Sequence, residues 1–250
     1  MRIFAHRGLN RRAPENTLAA FQLAHEARIE WLETDVDIIA DNTPIILHDS
    51  TLDRTTNATG SIYSLQRGDL AKISAGAKFA DPAYANEPIP QLSDLVDFLQ
   101  KTAMRCNLEI KSNEAGGDMS RRLIDAVLAG IEPLSAAQLL ISSFNHVLLY
   151  MLHERRPELP LACLFTRECL WEDAVSRCEL VGARTIHPQN EGLTAEVVRR
   201  LKDAGLSVNV WTVNNPERAA ELDSWQVDGI FTDIADEIAG KEGLWTQTHS

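Results

Sequence analysis

Cysteine is scarce in this chain: Cys106, Cys163, Cys169 and Cys178 are the four present in 250 residues, and no two form a C-x-x-C pair. That usage supports neither a disulfide framework nor a sulfur-ligated structural metal, and it predicts reduced, mostly buried thiols in a cytoplasmic protein. Long apolar runs are missing too. The uninterrupted ones are only a few residues long, far short of a bilayer span, so no membrane insertion is expected. The first residues carry no apolar core of a secretory signal. Positive charge is in deficit, with 24 Lys and Arg against 36 Asp and Glu and a net charge of −12. Such a surface repels nucleic acid and anionic membranes. An anionic substrate therefore needs cations placed locally, by side chains or by a metal.

What is present is alternation. Strand-like runs fall at 2–6, 31–39, 44–48, 105–111, 138–144, 160–165, 184–187, 207–213 and 229–232. Helix-like runs lie between them, at 16–28 and near 91–101, 118–130, 145–155, 169–180, 194–204 and 215–223. Asn16 is the expected N-cap of the first helix, Ala204-Gly205 marks a helix end, and Pro216 suits a first helical turn. Strand–helix alternation with short linkers implies parallel strands and right-handed crossovers, and about eight strands imply an α/β fold of the (β/α)8 TIM-barrel type. Residues 1–250 read as a single domain. Residues 49–90 depart from the pattern. They are rich in Gly, Pro, Asn, Asp and Thr without a helical period, and read as an irregular insertion after the second strand, where a barrel helix belongs, covering one rim. The polar tail from Lys241 has Trp245 as its one expected anchor.

Charged residues inside strands are the informative feature. Glu33 and Asp35 share one face of the second strand, about 6–7 Å apart along it, and Glu109 and Lys111 share one face of the strand at 105–111. Inward-facing carboxylates are costly unless neutralised. Glu33, Asp35 and Glu109 converging at the barrel mouth would offer an all-oxygen ligand set for a hard divalent cation such as Mg²⁺ or Ca²⁺. The competing reading is a buried ion-pair network in which Arg7 and Lys111 neutralise the acids. His6 ends the first strand and His48 follows the short run at 44–47; two histidines on one rim suit a general acid and a general base. His187 ends another strand and is a further candidate for the mouth, whereas His25, His146 and His153 read as surface residues of helices and His249 lies in the tail.

The order His6-Arg7-Gly8, Pro14-Glu15-Asn16-Thr17, Glu33-Thr34-Asp35-Val36, His48-Asp49, Leu52-Asp53-Arg54-Thr55-Thr56 and Leu108-Glu109-Ile110-Lys111 resembles the glycerophosphodiester phosphodiesterases. Ser142-Ser143-Phe144, Trp211-Thr212-Val213-Asn214 and Asp228-Gly229-Ile230-Phe231-Thr232-Asp233 have counterparts there, and Leu201–Asp233 is similar to the bacterial cytosolic branch. Each motif is weak alone; six in order, each at a strand end, make a specific pattern that spans nearly the whole chain.

The resemblance implies a TIM barrel with an insertion after the second strand. It implies one divalent cation, Mg²⁺ or Ca²⁺ with Mn²⁺ as a further option, held by Glu33, Asp35 and Glu109. It implies acid/base roles for His6 and His48, phosphate contacts from Arg7 and Lys111, and a glycerol or head-group wall from Trp211 with Phe144 nearby. Trp211 also reads as a barrel-core aromatic. The reaction implied converts a small glycerophosphodiester to glycerol 3-phosphate and an alcohol through a cyclic phosphate, with direct attack by metal-bound water as the competing route; which histidine is acid and which is base is not set by the sequence. Gly8 is expected to bring the backbone close to the ligand. Arg11 and Arg12 form a basic turn where many members are neutral, read either as solvated or as favouring an extra anionic group. Two other readings stay open: a lysophospholipase D-type or related phosphodiesterase, and a non-catalytic phosphate- or metal-binding barrel. Head group and oligomeric state are not set by the sequence.

Overall fold

The computed structural model describes residues 1–111 and 116–240; the expected Trp245 anchor and His249 lie outside them. Among the described residues, nine strands follow the alternation read from the sequence: β1 (Arg2–His6), β2 (Trp31–Ile38), β3 (Pro44–Ile46), β4 (Arg105–Ile110), β5 (Leu139–Ser143), β6 (Leu161–Phe165), β7 (Thr185–Pro188), β8 (Ser207–Val210) and β9 (Gly229–Thr232). All but β3 pair in parallel, from β1 through β2 and β4 round to β9. β9 returns to β1 with Phe4 opposite Phe231, which closes an eight-stranded barrel. Helices α1 (Leu18–Glu26), α2 (Leu92–Thr102), α3 (Gly117–Ile131), α4 (His146–Arg155), α5 (Ala174–Leu180), α6 (Ala195–Asp203), α7 (Pro216–Ser224) and α8 (Ala235–Ala239) follow the barrel strands in turn. Among the described residues no helix is long and apolar enough to cross a membrane.

β2 is buried along its whole length because both faces are covered. Leu32, Val36 and Ile38 join the apolar layer against the helices, while Trp31, Glu33 and Asp35 alternate with them and face the barrel interior. Phe4, Trp31, Leu140, Ala162 and Phe231 fill the barrel's lower interior, so the space available to a ligand is at the carboxyl ends of the strands.

Three expectations are corrected here. The strand after β2 is antiparallel, with Val36 opposite Ile46, and it stops at Ile46, which leaves Leu47 and His48 outside the ladder. The irregular segment precedes helix α2 rather than replacing it. It holds three short 3₁₀ turns and an apolar cluster that includes its Leu52, Ile62, Leu70 and Ile89 together with Ile45 of β3. The α1 cap is Thr17, whose hydroxyl accepts from the Ala20 amide at 3.3 Å and donates to the Pro14 carbonyl at 2.6 Å. Asn16 instead sits at φ +58°, a conformation that Asn tolerates. Its buried amide donates to Asp35 at 2.8 Å and accepts from the Thr34 hydroxyl at 2.7 Å.

Candidate active site

Barrel register brings the expected residues together. His6 stands opposite Glu33, Asp35 opposite Glu109, and Glu109 opposite Ser142 on the next strand. A cleft of about 110 Å³ opens there, and His6, Arg7, Glu33, His48, Glu109, Phe144 and Trp211 all line it. Asp35 lies beneath, nearly inaccessible. Lys111 is buried against Glu109 at 2.6 Å and Asp35 at 3.5 Å, and it faces the adjoining groove beside Phe144.

Carboxylate oxygens of Glu33, Asp35 and Glu109 all lie within 4.8 Å of one another. Burial raises Glu33, and the Asp35 charge raises it further, to about 8. Burial and Asp35 also raise Glu109. Burial opposes ionisation of Asp35 as well, but Lys111 and Arg7 outweigh it and hold that carboxyl down at about 2. Asp35 Oδ1 has no hydrogen-bond partner among the described residues. A buried, oxygen-only cluster whose members repel one another, with one oxygen that meets only the Lys111 ammonium at 3.5 Å, fits a hard divalent cation.

Each histidine has its Nδ1 against a carboxylate. His6 Nδ1 is 2.7 Å from Asp233, with Nε2 4.0 Å from Glu33. His48 Nδ1 is 2.6 Å from Asp49. Burial lowers His6, but the Asp233 bond and Glu33 override it and the net shift is upward. Burial lowers His48, with Arg7 and Lys111 adding to it against Asp35, and the net shift is downward. Two like groups are thereby driven apart, which is how one fold carries an acid and a base together. Arg7, at φ +56°, donates its backbone N–H to Glu33 at 2.9 Å and its guanidinium to Glu15 at 2.8 Å.

Trp211 lies on the cleft wall: its indole N–H donates to the His187 carbonyl at 2.9 Å, and its ring meets Phe144 edge-on at 5.4 Å. Gly8 is demanded by packing against α1. At φ +82°, it lies so close to α1 that an added Cβ would stand 2.6 Å from the Ala20 Cβ. His187 is not at the mouth. It is fully buried against Phe231 and Asn209, and burial pushes it down to about 3. His25 is exposed as expected, but His146 and His153 are half-buried; His146 reaches the Leu164 carbonyl at 3.1 Å. Arg11 and Arg12 are exposed, and Arg12 pairs with Asp236 at 3.1 Å.

The sequence reading gave Asp233 no role. Asn10 and Asn214 also donate to it, at 2.5 and 2.6 Å. The signal was available only through closure, because a closed barrel sets the end of the last strand beside the end of the first.

Residues 6–237 match the family described as Glycerophosphoryl diester phosphodiesterase family. A glycerophosphodiester phosphodiesterase of Caldanaerobacter subterraneus subsp. tengcongensis is 32% identical over 232 residues, covering 92% of this chain and 93% of its own. One from Bacillus subtilis is 29% identical, covering 93% and 83%. Among solved structures, an Oleispira antarctica phosphodiesterase in complex with the product sn-glycerol-3-phosphate superposes with a TM-score of 0.89 at 29% identity, covering 96% of each chain. The chain belongs to the glycerophosphoryl diester phosphodiesterase family.

Proposed function

We propose that this chain hydrolyses small glycerophosphodiesters to glycerol 3-phosphate and an alcohol, with His6 and His48 as its proton-transfer groups and Glu33, Asp35 and Glu109 as the ligands of one divalent cation. The observation that carries this is the pairing of two carboxylate-bound histidines with a three-carboxylate cluster in one cleft. The product bound in the Oleispira antarctica relative supports the substrate class. The family match over 6–237 supports reading the chain as one catalytic domain.

Mg²⁺, Ca²⁺ or Mn²⁺ suits the oxygen ligands, and such an ion, when bound, supplies positive charge that offsets phosphate and carboxylates. The protein's own groups do the rest. His48, whose neutral form is favoured by burial beside Arg7 and Lys111, takes the proton of the glycerol 2-hydroxyl as that oxygen attacks phosphorus. His6, whose charged form Asp233 and Glu33 favour against burial, protonates the departing alcohol. Water then opens the cyclic phosphate with the two roles exchanged. Arg7 and Lys111 stabilise charge on the non-bridging oxygens. Phe144 and Trp211 pack against the glycerol or head-group carbons.

His6→Ala and His48→Ala are each expected to lower turnover about 10²–10⁴-fold with an unchanged circular dichroism spectrum. Near-normal turnover in either variant removes that histidine from the mechanism. One observation favours a second reading, cleavage of lysophospholipids. Phe144 and Val147 border the adjoining groove, and Val147 also lines a neighbouring, mainly apolar hollow with exposed Tyr150 and Leu180; such a surface suits an acyl chain. Faster turnover of long-chain lysolipids than of glycerophosphocholine would select it.

A further inference from the structure

Leu52-Asp53-Arg54-Thr55-Thr56 is the one motif of the insertion to which the reaction above gives no work, and it is held in place with care. Leu52 is buried in the insertion's apolar cluster, and the Leu52 amide bonds the Gly60 carbonyl at 2.9 Å. The Thr56 hydroxyl donates to the Leu52 carbonyl at 2.7 Å, and Asp53 accepts the Gly60 amide at 2.9 Å. The turn so fixed projects a single guanidinium toward the barrel rim. Arg54 Nε donates to Asp49 Oδ2 at 2.6 Å, while its two terminal nitrogens grip both oxygens of Glu15 at 2.6 and 2.7 Å. Each of these carboxylates has a second engagement in the cleft. Asp49 Oδ1 holds His48 at 2.6 Å, and Glu15 Oε1 holds Arg7 at 2.8 Å.

We infer that Arg54 is a positioning residue, which joins the insertion to the two sides of the site by fixing Asp49 behind His48 and Glu15 behind Arg7. A planar fork is suited to this. It satisfies three acceptor oxygens in directions set by the guanidinium itself, which an ammonium cannot do. Asp49 taken by Arg54 on its outer oxygen is left with the inner one for His48. That turns Nε2 of the ring, rather than Nδ1, toward the reacting atoms. The insertion thereby acts on catalysis from a distance, through a carboxylate, as supporting groups orient histidines elsewhere. The kinetic part of this inference rests on the hydrolytic reading of the site.

The test compares Arg54→Ala and Arg54→Lys with the full-length wild type, using glycerophosphocholine and Mg²⁺. Arg54→Ala is expected to lose about 10- to 100-fold in kcat with KM held within about threefold. Its unfolding midpoint should move by less than about 4 °C, because the side chain is 47% exposed and the turn has anchors of its own. Millimolar guanidinium should restore part of the lost kcat in Arg54→Ala and leave the wild type unaffected. Arg54→Lys keeps the charge without the fork and should remain impaired; it carries the same comparison if Arg54→Ala fails to fold. Wild-type kcat in the variants, or a loss that guanidinium leaves untouched, overturns the inference. A second readout does not need turnover. In ¹⁵N spectra of the histidine side chains, the His48 signals, assigned by their loss in His48→Gln, should report an Nδ1-protonated ring in the wild type and a mixture of tautomers in Arg54→Ala. Unchanged His48 signals contradict the inference. If the wild-type protein hydrolyses nothing, the hydrolytic reading has failed by itself, and the spectra alone decide for Arg54.

Discussion

His187→Gln isolates a stability contribution that the barrel interior places on one side chain. His187 is fully buried; its Nε2 is 3.1 Å from the Asn209 amide and its ring is 4.8 Å from Phe231. Burial pushes it down to about 3 from an ordinary 6.5. The folded state then binds fewer protons than the unfolded chain between those two values. The contribution to stability is complete above pH 6.5 and is lost as pH falls through that window. At pH 4.5, two units below the unfolded value, the loss is about 3 kcal/mol at roughly 1.4 kcal/mol per unit. Urea unfolding of wild type and His187→Gln at pH 7.5 and pH 4.5 measures it. Other groups titrate in both proteins, so the quantity of interest is the difference between the two pH dependences. The variant should be less sensitive to the drop in pH by about 3 kcal/mol, whatever its stability at pH 7.5. Equal pH dependences in the two proteins would refute a neutral His187 sealed in the barrel.

Two further outcomes follow from geometry. Gly8→Ala is expected to destabilise the fold by about 3 kcal/mol, read by denaturant midpoint, because φ is +82° and the new methyl would meet the Ala20 backbone carbon at 2.8 Å; a change below about 1 kcal/mol would show that α1 moves freely. Asp233→Asn keeps the side-chain shape but removes the charge that raises His6, so the ionisation of His6 followed by NMR should move to lower pH, and an unmoved titration argues against the pairing.

Much of the barrel was legible because its signals are local. Period-two alternation placed Glu33, Asp35 and Glu109 on inward faces, and the position of strand ends placed His6 and His48 at the rim. What was missed depends on contacts between distant segments. Asn16 looked like a cap because the Pro14–Thr17 stretch offers two capping residues; its amide was instead taken by Thr34 and Asp35. His187 ends its strand as His6 does, but the Trp211 side chain closes over the His187 carbonyl and the ring lies below the mouth. Asp233 becomes a partner of His6 only when β9 meets β1. Residues 49–90 lack a period because their order comes from a separate small cluster and side-chain-to-backbone bonds rather than from a helix or a long strand.

The central claim is cation-dependent diester hydrolysis, and the most direct measurement is release of glycerol 3-phosphate from glycerophosphocholine by purified protein. It is made after EDTA treatment and again with Mg²⁺, Ca²⁺ or Mn²⁺ restored. Release that EDTA abolishes and a divalent cation restores is the predicted result. Folded protein that releases no glycerol 3-phosphate with any of the three ions, or that releases it undiminished in EDTA, contradicts the account.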